Sequence, residues 1–262
     1  MSDTDVVVDS EIDDTLLRQV GAELKVMFRP PFEVVSSVLV NAAIVIGIWF
    51  FINPSIVLRH TALVFLPVAI GSWALSDVPA TNLIAGKADH ARDRVHDADF
   101  IRRVMTVQNL ALWVLISPAC MLLSLALIPS GGNATVSIAI AIAVLVLPFP
   151  YMGLAAIVAP LLPFHPMPIR QRLRRRDTWL RYGLAIALAY FLLTGPAALI
   201  ALGPAALILT FVGQDPIHFL VAAILMIPWC FFLWRLGLHL ATRIAIRRQA
   251  WLKEFLADPE RG

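Results

Sequence analysis

ALVFLPVAIGSWALSDVPATNLI, residues Ala62–Ile84, is the stretch on which the fold turns. Its first half is apolar enough for a membrane helix, whereas Asp77, Pro79 and Asn82 interrupt the second half. Five other apolar runs stand out more plainly: Val34–Ile52, Val104–Ile128, Val136–Leu162, Tyr182–Leu202 and Ile217–Leu240. Each holds at least 19 residues, enough to cross about 30 Å of hydrocarbon as a helix. The basic residues arbitrate the ambiguous stretch. With Ala62–Ile84 counted as a span and the N-terminus cytoplasmic, 20 of the 21 Lys and Arg fall on the inner side, and Arg59 alone falls outside. Retention of cations in the cytoplasm requires that asymmetry. Leaving the stretch out sends whole basic clusters to the exterior.

The composition agrees with that reading. Hydrophobic residues make up 59% of the chain and charged residues 15%, with a mean hydropathy of +0.79. A soluble domain is nearer one quarter charged, so this chain has too little polar surface to wrap an apolar core in water. The expected fold class is therefore all-α: a polytopic membrane protein with six transmembrane helices and an N-terminal amphipathic interfacial helix. Residues 1–33 form a cytoplasmic tail with that helix, 34–240 the six-helix domain, and 241–262 a cytoplasmic C-terminal tail in which the sixth helix continues. The expected location is the plasma membrane, multi-pass, with both termini in the cytoplasm. The acidic N-terminus lacks the basic start of a cleavable secretory signal, so the first apolar run should remain as an anchor.

Within the tail, Ser10 and Asp13 suggest a capping box. Ile12, Leu16, Val20 and Leu24 then recur every four residues, joined by Leu17, Met27 and Phe28, with Asp13, Asp14, Arg18, Gln19 and Lys25 opposite. Such a helix should lie along the inner membrane surface and end at Pro30-Pro31, although a soluble partner would accept the same pattern. Pro148, Pro150 and Pro160 predict kinks in the fourth span. Gly203–His218, interrupted by Gly203-Pro204 and Gln214-Asp215-Pro216, reads either as a re-entrant segment or as part of a long, tilted fifth helix.

Chemistry is sparse. Cys120 and Cys230 sit in apolar runs and form neither a disulfide framework nor a metal spacing. Gly86-Lys87-Ala88 is no phosphate loop. The six histidines show no zinc-protease spacing, and no nucleophile elbow occurs. No catalytic residue, metal site or cofactor is expected, and the chain does not read as an enzyme. The charged connection Gly86–Arg103 is the exception to this sparseness. Asp89, Asp93 and Asp97, four apart, would share one face if a single helix ran through them, with Arg92, Arg94 and Asp99 around them. Carboxylates at that interval can hold magnesium on a diphosphate, but the second acidic cluster or the glycine-punctuated signature of such enzymes is missing. A solvated or protein-docking helix is the plainer reading. The Arg-rich connection Pro163–Arg181 suits anionic headgroups or topology rather than nucleic acid. Inside the spans the notable polar residues are Asp77, Gln108 and Asn109. They suit interhelical hydrogen bonding better than ion coupling.

Taken together, the stretch Asp77-Val-Pro-Ala-Thr-Asn-Leu, the run Phe100-Ile-Arg-Arg-Val-Met-Thr-Val-Gln-Asn-Leu-Ala-Leu and Pro118 are similar to the second-to-third-span region of actinobacterial integral membrane proteins. They resemble the permease subunit of a six-span ATP-binding-cassette exporter. The resemblance implies that the loop is a coupling helix docking on a separate, peripheral ATP-binding subunit. Asp89, Arg92, Asp93, Arg94, Asp97, Arg102 and Arg103 would form the docking surface. It further implies a pathway shared with a second permease copy or paralogue, in contact with membrane lipids. Two alternatives come from other classes: a non-catalytic membrane scaffold or accessory subunit, and a magnesium-dependent lipid-phosphate enzyme using the aspartate face.

Overall fold

The computed structural model describes residues 15–29, 32–52, 66–71, 82–84, 88–126, 128, 133–165, 180, 183–184, 187–188, 196–213 and 215–258. Among them every regular element is helical. The proposed second span is described only at 66–71 and 82–84, where Leu83 and Ile84 are buried in the core. The capping box at Ser10 and Asp13, Asp77, part of the fifth run and most of the Arg-rich connection lie outside the described residues.

Helix α1, Leu16–Met27, buries Val20, Glu23 and Met27 and packs on α4. It ends in a turn that leads through Phe32 into α2, Glu33–Ile52. Phe32 has φ +56, a left-handed conformation that costs a non-glycine residue of order 1–2 kcal/mol. Its carbonyl accepts from Ser36 and its N–H donates to Arg29, so the elbow is held from both sides. A short helix α3, Ala88–Arg94, precedes α4, Ala98–Ala126.

Helices α5, Ala134–Val146, and α6, Pro148–Leu161, make one apolar stretch broken at Leu147. Asn133 caps α5 by accepting from the N–H groups of Thr135 and Val136. The break follows from proline chemistry. Pro148 and Pro150 have no N–H to give to the carbonyls of Val144 and Val146. Beside it, the indole of Trp113 on α4 donates to the Leu145 carbonyl at 2.8 Å.

Helix α7, Pro196–Phe211, runs through Gly203-Pro204 without a break, with Pro204 inside it. Of the two readings of Gly203–His218, continuation of the helix holds as far as Phe211. The helix ends before Gly213, whose φ of +134 suits glycine. Helix α8, Pro216–Arg247, is 32 residues long. At 1.5 Å per residue it spans about 48 Å, more than a bilayer core. The expected unbroken continuation of this helix instead turns at Arg248 (φ −105) into a separate helix α9, Gln249–Ala257.

Three of these stretches, α4, α5 with α6, and α8, are long and apolar enough to cross a membrane. Val34–Ile48 of α2 and Leu199–Phe211 of α7 are shorter apolar segments. The most extensive helix pair is α6 with α8, and it approaches backbone to backbone. A Cβ on Gly237 would fall on the Gly153 carbonyl group and lie 2.6 Å from its Cα, while one on Gly153 would lie 2.9 Å from the Cα of Trp234. Ala155, Ala156 and Ala159 on α6, with Ala241 and Ala245 on α8, are buried as well. Small residues allow this closeness, which gains dispersion energy and brings backbone dipoles together. Above it, Phe149 stacks obliquely on Trp113 and Trp234 at 5.7 and 5.2 Å, tying α4, α6 and α8 into one aromatic cluster.

Gly237→Ala should therefore force α8 off α6 and cost about 1–3 kcal/mol, lowering the melting temperature of the purified chain. Gly47→Ala and Gly203→Ala, where an added Cβ meets nothing within 4 Å, should be neutral or raise stability by up to about 1 kcal/mol. Equal losses at all three positions would contradict the close approach.

Candidate functional site

The charged connection is two elements with a joint. Helix α3 stops at Arg94, and Val95 and His96 turn the chain. Asp97 therefore stands at the start of α4 and not on the face of α3, so Asp89, Asp93 and Asp97 do not lie along one helix. The physical reason is local. One Asp97 carboxylate oxygen accepts from the backbone N–H groups of Asp99 and Phe100, each at 3.0 Å, as an N-cap. The other oxygen pairs with Arg94 at 3.3 Å. The Phe100 N–H, followed by the Arg94 side chain and the Asp99 N–H, holds this carboxyl below its ordinary range against the opposing effect of desolvation. Arg94 also lies over the Phe100 ring, 4.1 Å from its centroid.

The remaining charges separate into bound and outward groups. Arg103 Nε donates to Gln19 Oε1 at 2.8 Å, fastening α1 to the first turns of α4. Arg102 lies 3.9 Å from Asp99, an exposed pair that contributes little. Arg92 and Asp93 are exposed. Beneath them Ala91 and Val95 are buried, and α3 packs on α9. The side chain of Asp89 is outside the described residues, as is Asp77. Among the described residues no group of three or more His, Cys, Asp or Glu is placed to hold a metal ion.

α9 is anchored in turn. His165, buried after the end of α6, has Nε2 2.9 Å from the Phe255 carbonyl and stacks on that ring at 4.8 Å. Arg248 Nη1 donates to the carbonyls of Pro160 and Leu161, both at 2.9 Å, closing the C-terminus of α6. Its guanidinium lies 4.1 Å from the Trp251 ring centroid. Sequence reasoning missed this clamp. His165 looks like an ordinary interfacial residue, and its partner is 90 positions away. The inward placement of Gln19 and Glu23 was also missed, since both are polar residues on a helix sorted by hydrophobicity.

Gln108 and Asn109 lie on the buried side of α4, and Asn109 is 0% exposed. Gln108 Oε1 and both amide atoms of Asn109 have no hydrogen-bond partner among the described residues. Ser117 and Ser137, also buried, have hydroxyls unpaired among the described residues. No family model matches the chain, and no curated protein or solved structure matches it either.

Substitutions at two positions test this geometry. Asp97→Ala should cost about 1 kcal/mol through the lost cap, while Asp97→Asn should keep most of it. Because the folded carboxyl is held low, its stabilisation is complete above the ordinary carboxylate range and fades as pH falls through the lowered value. Acid unfolding of Asp97→Asn should lose that component. Asn109→Leu removes an unpaired buried amide and should raise stability by about 1–3 kcal/mol. A lower melting temperature would mean that the amide is paired.

Proposed function

We propose that this chain is the membrane-spanning permease subunit of an ATP-driven exporter. Six helices cross the plasma membrane with both termini cytoplasmic, and α1 lies along the inner surface. A separate ATPase subunit docks on 86–103, and a second permease copy or paralogue completes the pathway. The observation that carries this reading is the mounting of α3. Its seven residues present Arg92 and Asp93 outward. Its apolar side is braced on α9, and Arg94 and Asp97 join it to the first turn of a 29-residue helix. Force on such a knob is delivered to α4 directly, and to α8 and α6 through α9.

The chemistry of the interior supports an apolar or amphipathic substrate. The buried polar residues of α4, α5 and α8 are Gln108, Asn109, Ser117, Ser124, Ser137 and Thr242, all uncharged. A site built to bind an ionic substrate would carry opposing charge.

Purification of the full chain in a mild detergent should recover an ATP-hydrolysing subunit. Arg92→Ala with Asp93→Ala should release that subunit while leaving the unfolding free energy within about 0.5 kcal/mol of the parent, as surface substitutions do. A partnerless chain without substrate-stimulated ATPase would instead favour a scaffold. Magnesium-dependent turnover that survives loss of the ATPase would favour the lipid-phosphate enzyme.

A further inference from the structure

The outward side of α1 and its elbow into α2 make a surface that nothing within the protein covers among the described residues. Leu17 is 83% exposed, Phe28 53% and Phe32 47%. Arg18 and Lys25, two helical turns apart, share one exposed line, and Arg29 is exposed in the turn that follows. The one acid within α1, Glu23, faces the opposite way and is buried. Aromatic and leucine side chains therefore flank a run of cations with no carboxylate of α1 among them.

Two independent markers set the height of this surface. Gln19 is bonded to Arg103, the last charged residue of α4 before its apolar run begins at Val104. The elbow delivers the chain to Glu33, directly before the apolar run of α2 begins at Val34. Both place α1 at a boundary between polar and apolar surface. At that boundary in a bilayer, the acyl edge meets phosphate. Phe32 has a left-handed backbone here with a half-exposed ring.

We infer that the face formed by Leu17, Lys25, Phe28, Arg29 and Phe32 is a recognition surface for anionic phospholipid. The two cations take headgroup phosphates, and the apolar side chains enter the acyl boundary. The inference rests on the membrane-spanning part of the proposed function, and it commits α1 to lipid rather than to the ATPase. Anionic headgroups then hold α1 against α4 through the Arg103–Gln19 bond, so lipid charge controls how firmly the α1–α4 interface is closed.

The test uses the full chain in nanodiscs of phosphatidylcholine alone and of phosphatidylcholine with phosphatidylglycerol, with amide exchange followed over Leu16–Met27. The anionic discs should slow exchange in α1 on the order of tenfold, given what a cation near a charged surface contributes. The double variant Lys25→Gln, Arg29→Gln should lose that difference while exchange in α4 and α9 stays unchanged. Equal exchange in both discs overturns the inference, as does a lipid response that survives in the double variant. Slowing that appears only when an ATPase subunit is added also overturns it, by assigning the face to protein. The permease reading fails separately: an inserted chain that shows the lipid response but binds no ATPase sinks that reading and leaves this one intact.

Discussion

Gly153 and Gly237 place two helix backbones in direct contact, and much of the described architecture depends on that contact. In lipid, apolar side chains gain nothing by leaving the solvent, so helices associate through close packing and interhelical polar contacts. Without Cβ atoms at these two positions, α8 can lie against α6 closely enough for the Cα of Trp234 to sit over Gly153. The Trp234 indole is thereby brought to Phe149, and Phe149 to Trp113. A larger residue at either glycine would separate the rings as well as the backbones. Beside the proline break between α5 and α6, Trp113 occupies the Leu145 carbonyl, and both helices pack on α8.

The direction in which α8 leaves the bundle then sets the polar end. Arg248 ends α8 and in the same step caps α6 through Pro160 and Leu161, so both helices finish on one residue. The turn at Arg248 lays α9 across that end, where His165 receives Phe255. α9 supplies the floor on which α3 rests. Two routes thus lead from α3 into the long helices: one through the Asp97 joint to α4, the other through α9 to α8 and α6. α3 is therefore held at two points, the Asp97 joint and α9.

What was legible in the sequence is the apolar content of the helices, and what was not is their ends and their partners. The run Val34–Ile52 differs from α2 by one residue at its start. By contrast, α4 begins six residues before the run at Val104, because the Asp97 cap and not hydropathy decides where that helix starts. Hydropathy also placed the close of the fifth run at Leu202, yet α7 continues through Pro204 to Phe211. A proline in a helix removes one hydrogen bond without obliging the helix to end. The four-residue spacing of Asp89, Asp93 and Asp97 suggested a common face, and it failed because an aspartate can do more for the backbone as a cap than as a mid-helix residue. The glycine pair was unreadable for another reason. Gly153 and Gly237 are distant in sequence, and each alone resembles any other glycine in an apolar helix.

The joint at Val95–Asp97 also explains why a charged loop in this position is two helices and not one. A continuous helix from Ala88 into α4 would stand α3 on the axis of α4, carrying Arg92 and Asp93 away from the bundle with nothing beneath them. Breaking the helix frees the first N–H groups of α4, which would be left unsatisfied. The Asp97 carboxylate takes two of them, and its charge suits the positive end of the helix dipole. Arg94, ending α3, neutralises that carboxylate and covers Phe100. The break is therefore nearly self-compensating, and what it gains is direction: Ala91 of α3 and Val95 of the turn face inward while Arg92 and Asp93 face outward.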